Sequence, residues 1–117
     1  MTGVQTCALP IYDILNLPLL SVGAVGFVSV CGHTVGGQLR EMLDAWFAGN
    51  AARALEIHQQ LLPVFTGTFR TQGAILTKAA LNLMGLPGGH TRLPLVDATA
   101  AQIEQLKLDL RAGGVNV

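Results

Sequence analysis

Charge is scarce in this 117-residue chain: Asp, Glu, Lys and Arg make up 12% of it, against roughly 25% in an ordinary soluble domain. Apolar residues reach 50%, and the seven basic and seven acidic side chains cancel. A balanced chain of this kind carries no electrostatic footprint for nucleic acid or for an anionic membrane surface. Cysteine is nearly missing as well. With only Cys7 and Cys31, and Cys7 in a segment set aside below, no disulfide framework is available and a reducing cytoplasm is the expected compartment. No Lys or Arg precedes Arg40, which removes the basic n-region of a secretory signal peptide. Internal repeats and low-complexity tracts are absent too.

The opening run MTGVQTCALPI has neither charge nor helical or strand periodicity. It resembles a common short-read sequencing adapter translated in one frame, with Tyr12 compatible with the junction. Residues 1–12 are therefore expected to be a non-native segment and its junction, excluded from fold reasoning. The natural chain is expected to enter near Asp13.

The longest apolar run, Ile14 to Gly32, contains no charge and on length alone is a transmembrane candidate. Pro18, Gly23, Gly26 and Gly32 break it, and no basic cluster flanks it. It divides better into a short apolar helix ending near Val22, a Gly-Ala-Val-Gly turn, and the strand GFVSV over 26–30. That strand is short, β-branched and apolar, as befits one buried on both faces of a parallel sheet.

From Gly37 onward the spacing predicts helices. Leu39, Met42, Leu43, Trp46 and Phe47 make one apolar face, closed by Gly49. Asn50 can cap the next helix, whose stripe is Leu55, His58, Leu62, Phe65 and Phe69 with Ile57, Leu61 and Val64 beside it. Pro63 should kink or divide that helix. A third runs from about Ala74 to Met84. The Gly- and Pro-rich GLPGGHTRLPLVD is a loop, and Thr99 with Gln102 forms a capping box for a last helix bearing Ile103, Leu106 and Leu110, stopped by Gly113 and Gly114. A lone parallel strand has nowhere to place its backbone hydrogen bonds, so the pattern reads as the end of something larger.

The stretches NLPLLSVGAVGFVSV, RALEIHQQLLPVF, ILTKAALNLMGLPGG and TRLPLVDAT, taken in order, resemble the C-terminal third of the dihydrodipicolinate synthase and N-acetylneuraminate lyase family of class I pyruvate-dependent aldolases. The resemblance implies an α/β fold: residues 13–49 would be the end of a (β/α)8 TIM barrel, with its last strand near 26–30 and last barrel helix over 37–49. Residues 50–117 would be a C-terminal helical region. Alone, such a chain would be mostly α-helical with one short strand. The resemblance further implies condensation of pyruvate with aspartate semialdehyde in lysine biosynthesis (the diaminopimelate pathway), through a lysine Schiff base. It implies a cytoplasmic homotetramer without cofactor, metal, nucleic acid or membrane among its partners. The Schiff-base lysine and the proton-relaying tyrosine and threonine belong to earlier strands, so this chain carries no catalytic residue and is expected to be inactive by itself. Only Val28 matches a substrate-binding position, in the pyruvate site.

Other residues invite chemistry without supporting it. Lys78 and Lys107 read as solvated helix residues, since a Schiff-base lysine needs a desolvated or cation-flanked amine. Cys31, His33 and Thr34 follow the strand but lack a third orienting group, so they read as loop packing with a hydrogen bond. His58 and His90 lack a second ligand at metal spacing. GLPGGHT lacks the Lys-Ser/Thr ending of a phosphate loop. Arg92 reads as a structural residue able to pair with Asp97, with no catalytic role. Two alternatives stay open: another lyase of the family, acting on N-acetylneuraminate or a ketodeoxy sugar acid, and a stand-alone helical interaction module binding a partner through Trp46 and Phe47.

Overall fold

The computed structural model describes residues 12–117; the adapter-like run 1–11 lies outside them. A 3-10 turn, Asp13–Leu15, leads into α1 (Asn16–Ser21). An extended segment from Ala24 to Ser29 follows. Four longer helices complete the chain: α2 (Gly32–Phe47), α3 (Ala51–Thr68), α4 (Gly73–Leu83) and α5 (Ala100–Ala112). The mostly helical architecture is the expected one. The apolar run over 14–32 is split between α1, a turn and the extended segment, and among the described residues no helix is long and apolar enough to cross a membrane.

The helix starts follow local chemistry. Asn50 accepts the Arg53 amide at 3.1 Å and opens α3. Thr99 and Gln102 exchange hydrogen bonds in the expected capping box, so two amides that the helix leaves orphaned are satisfied at once. Pro63 neither divides α3 nor throws a residue out of helical geometry. It removes one backbone bond of the ladder, and the Thr66 hydroxyl donates to the Leu62 and Pro63 carbonyls in the next turn.

Helix α3 is central, packing against α1, α2, α4, α5 and the 3-10 turn. Its buried face is Ala54, Ile57, Leu61, Val64, Phe65 and Thr68, while Leu55, expected in the buried stripe, is exposed. The flanking row is the core because α2 and α5 approach α3 from that side, with Leu39, Met42, Leu106 and Leu110 facing it from within one cluster. At Gly67 the helices touch so closely that a Cβ would lie 2.6 Å from that of Asp109. Hydrogen therefore sits where any side chain would collide. Asp109 is buried there and accepts both the Arg70 Nε–H at 2.7 Å and an Nη2–H at 3.0 Å.

Two expected boundaries are corrected. Residues 26–29 carry no regular structure and Val30 is a bend, so no strand forms among the described residues: a strand is defined by a ladder to a neighbour, and none is present among them. Helix α2 begins at Gly32 rather than Gly37. The regular helix does start near the expected place: Val35 (φ −126°, ψ 30°) breaks it from a first turn built on local bonds. In that turn Ser29 Oγ accepts the Gly32 amide at 2.8 Å, and the Thr34 hydroxyl donates to the Cys31 carbonyl at 3.0 Å.

Candidate functional site

Asp13 is the only charged residue before Arg40, and it is 1% exposed. A buried carboxylate needs donors, and three converge on it. The Asn16 side-chain amide reaches Oδ1 at 3.0 Å, the Ser29 hydroxyl donates to the same oxygen, and the Cys31 backbone N–H reaches Oδ2 at 3.1 Å. Two of the three come from the far end of the extended segment. Its near end is tied by the Ala24 amide, which donates to the Leu19 carbonyl at 3.0 Å. The segment is thus held between two fixed points. No backbone N–H from Val25 to Val30 donates to a carbonyl among the described residues, and Val25 and Val28 are 83% and 63% exposed.

Beyond Val28 the chain enters a cleft of about 510 Å³. Ser29, Val30 and His33 form one wall, and the start of α4 (Gln72, Gly73 and Ala74) forms the other, with Phe69 and Thr77 between them. Gln72 caps α4 by accepting the Ala74 amide at 2.7 Å. The cleft therefore lies where the extended segment ends and a helix begins.

The candidate nucleophiles are spoken for. Lys78 is not simply solvated: its ammonium donates to the Gly88 and His90 carbonyls, both at 3.0 Å, and so fastens the glycine-rich loop to α4. A Cβ on Gly88 would lie 2.4 Å from the Lys78 carbonyl oxygen, so only glycine lets the loop approach this closely. Lys107 pairs with Glu104 at 2.7 Å on α5. Burial, with Asp13 nearby, pushes the Cys31 thiol up to about 12, leaving it protonated and inert at neutral pH. His33 is exposed and His58 buried. Burial holds His58 below the ordinary imidazole range, and its ring packs on Phe65 with centroids 5.7 Å apart. It is a core residue.

The expected partner of Asp97 is corrected. His90 Nδ1 lies 2.5 Å from Asp97 Oδ2, and the Thr91 amide and hydroxyl donate to Oδ1 at 2.8 and 2.9 Å. Arg92 is exposed and takes no part. The loop bends so that neighbours of Asp97's own hydrogen-bonded turn reach it first. Those bonds, the Thr91 amide foremost and His90 next, hold the Asp97 carboxyl at about 2. Asn82 secures the other side by exchanging bonds with the Gly89 amide and carbonyl, both at 3.0 Å. A second, smaller cleft of about 310 Å³ lies under this loop, between α4 and Ile103 of α5.

Sequence reasoning singled out Val28, which sits exposed on the segment just before the cleft. It missed the carboxylate clamp and the Gln72–Ala74 wall. One signal was there to read: a single charge inside a long apolar run must be buried with partners or forced to the surface. The wall at α4 carries no such mark, since its residues matter through position.

Residues 5–113 match the dihydrodipicolinate synthetase family, a match that begins within the run set aside above. The 4-hydroxy-tetrahydrodipicolinate synthase 2 of Streptomyces coelicolor is 64% identical over 105 residues, 90% of this chain and 35% of that protein. The corresponding synthase of Acidothermus cellulolyticus is 58% identical over 99 residues, 85% of this chain and 32% of that protein. Among solved structures, dihydrodipicolinate synthase from Cyanidioschyzon merolae with lysine bound superposes with a TM-score of 0.83 at 41% identity, covering 89% of this chain and 35% of that one. A monomeric dihydrodipicolinate synthase variant superposes equally well, with a TM-score of 0.83 at 34% identity. The chain therefore spans about a third of the length of the relatives it matches.

Proposed function

The chain belongs to the dihydrodipicolinate synthetase family, and from that premise we propose that it is the C-terminal part of a 4-hydroxy-tetrahydrodipicolinate synthase. The observation that carries the reading is the 64% identity over 90% of the chain to a synthase of that name. The complete enzyme would condense pyruvate with aspartate semialdehyde in the cytoplasm, without a cofactor. A lysine outside this chain would lose water with the pyruvate ketone to form an imine; the derived enamine would then attack the aldehyde carbon.

On this reading residues 13–49 close the barrel. The extended segment becomes its last strand, supplying Val28 to the pyruvate site, and the cleft beyond it opens at the C-terminal end of that strand. Active sites of this fold lie at that end. The amides from Val25 to Val30, which donate to no carbonyl among the described residues, and the two exposed valines support the assignment, since a strand flanked on both sides and covered on both faces would have this pattern. Residues 50–117 form the helical appendage, and a homotetramer is the proposed assembly of the whole enzyme.

The test joins the upstream part of the Streptomyces coelicolor synthase to residues 12–117 of this chain. Borohydride with pyruvate should reduce the imine and leave a covalent adduct, found by mass on a single lysine of the upstream part. Turnover with aspartate semialdehyde near the rate of the undivided Streptomyces synthase then tests whether this chain completes a synthase barrel. A hybrid that folds and traps no pyruvate overturns the proposal.

A further inference from the structure

We propose that Asp13 is a positioning residue: its carboxylate fixes the end of the extended segment, and so the edge of the substrate cleft, without touching substrate. The inference rests on the aldolase reading above. Of the three donors on Asp13, two flank Val30, since Ser29 precedes it and Cys31 follows it. Ser29 and Val30 themselves line the cleft. Ser29 also passes the constraint on, accepting the Gly32 amide while it donates to Asp13. One buried carboxylate thus sets where the extended backbone stops and the first turn of α2 begins.

Two oxygens that only accept hold this arrangement as it stands. Oδ1 takes Asn16 and Ser29, and Oδ2 takes the Cys31 N–H, which cannot reverse its role. An asparagine here must turn its NH₂ either toward that N–H or toward the other two donors. With the NH₂ toward that N–H the Cys31 bond is lost; turned the other way, the Cys31 bond survives only if Ser29 and Asn16 reverse their roles and accept. Asn16 supplies an internal control. Its bond to Asp13 is as short as the Cys31 bond, yet it joins Asp13 to α1 and touches nothing in the cleft.

The experiment uses the same hybrid enzyme. If the unaltered hybrid traps no pyruvate, the aldolase reading fails and this inference falls with it. With trapping established, Asp13→Asn should raise the KM for pyruvate about tenfold, the scale of one charge-assisted hydrogen bond. Ser29→Ala should raise it about threefold, with kcat changed less in each case. Asn16→Ala should lower the melting temperature and leave KM where it was. Should Asp13→Asn fail to fold, the contrast between Ser29→Ala and Asn16→Ala decides alone. Unchanged KM in Ser29→Ala, or a rise in Asn16→Ala as large as in the clamp variants, would overturn the assignment by reducing Asp13 to a stabilising residue.

Discussion

The helices from Ala51 to Ala112 and the extended segment from Ala24 to Ser29 are built on opposite terms. In the helical part Leu61, Val64, Leu106 and Leu110 are sealed against one another, the starts of α3 and α5 are capped by Asn50 and Thr99, and the buried Asp109 is met by Arg70 and Gln105. In the segment, the N–H groups from Val25 to Ser29 donate to no carbonyl among the described residues, and Val25 and Val28 are exposed. The first region is sealed by its own helices together with α2, whose Leu39 and Met42 complete its core. The second is held at its ends and lacks flanks, so its geometry is set by the chain while its stabilisation must come from elsewhere.

The comparison is broken most forcefully by attacking the helical part. Leu61→Ala should cost about 2–5 kcal/mol, as a fully buried leucine leaves a cavity on α3; urea unfolding followed by circular dichroism measures it. Gly67→Ala comes next at about 1–3 kcal/mol, because the new methyl group must push α5 aside at Asp109. A smaller, pH-dependent effect sharpens the contrast. The folded His58 titrates below its unfolded value because it is buried, so its contribution is complete above the unfolded pKa of about 6.5. It is lost as pH falls through that value toward the folded one. His58→Gln should flatten the stability profile over that window, and equal slopes in the two proteins would remove His58 as the cause. Val25→Lys should move stability by less than about 0.5 kcal/mol, while reducing self-association of the isolated chain in sedimentation, since a charge blunts an open strand edge. Unchanged association would mean that the segment is not its cause.

This division also explains what could be read from the residues alone. The Thr99 box and the Asn50 cap act within three residues, so they were legible from spacing. The buried face of α3 was not: apolar side chains surround much of that helix, and which row is covered depends on where α2 and α5 arrive. The start of α2 was misplaced for a related reason, since Gly32 to Thr34 are turned by Ser29 and Cys31 rather than by any helical preference. Asp97 takes Thr91 and His90 rather than Arg92 because the bend of the loop brings those two to it, and charge along the sequence does not show that bend. The family resemblance supplied the barrel assignment that no local pattern in a single open strand contains.

The fastening of Lys78 reaches beyond the loop it holds. The chain has two lysines, and one rests its ammonium on two backbone carbonyls while the other leans on a single glutamate. Once Lys78 is acetylated it can no longer serve both carbonyls as a cation, and the loop is left on α4 by the two Asn82 bonds.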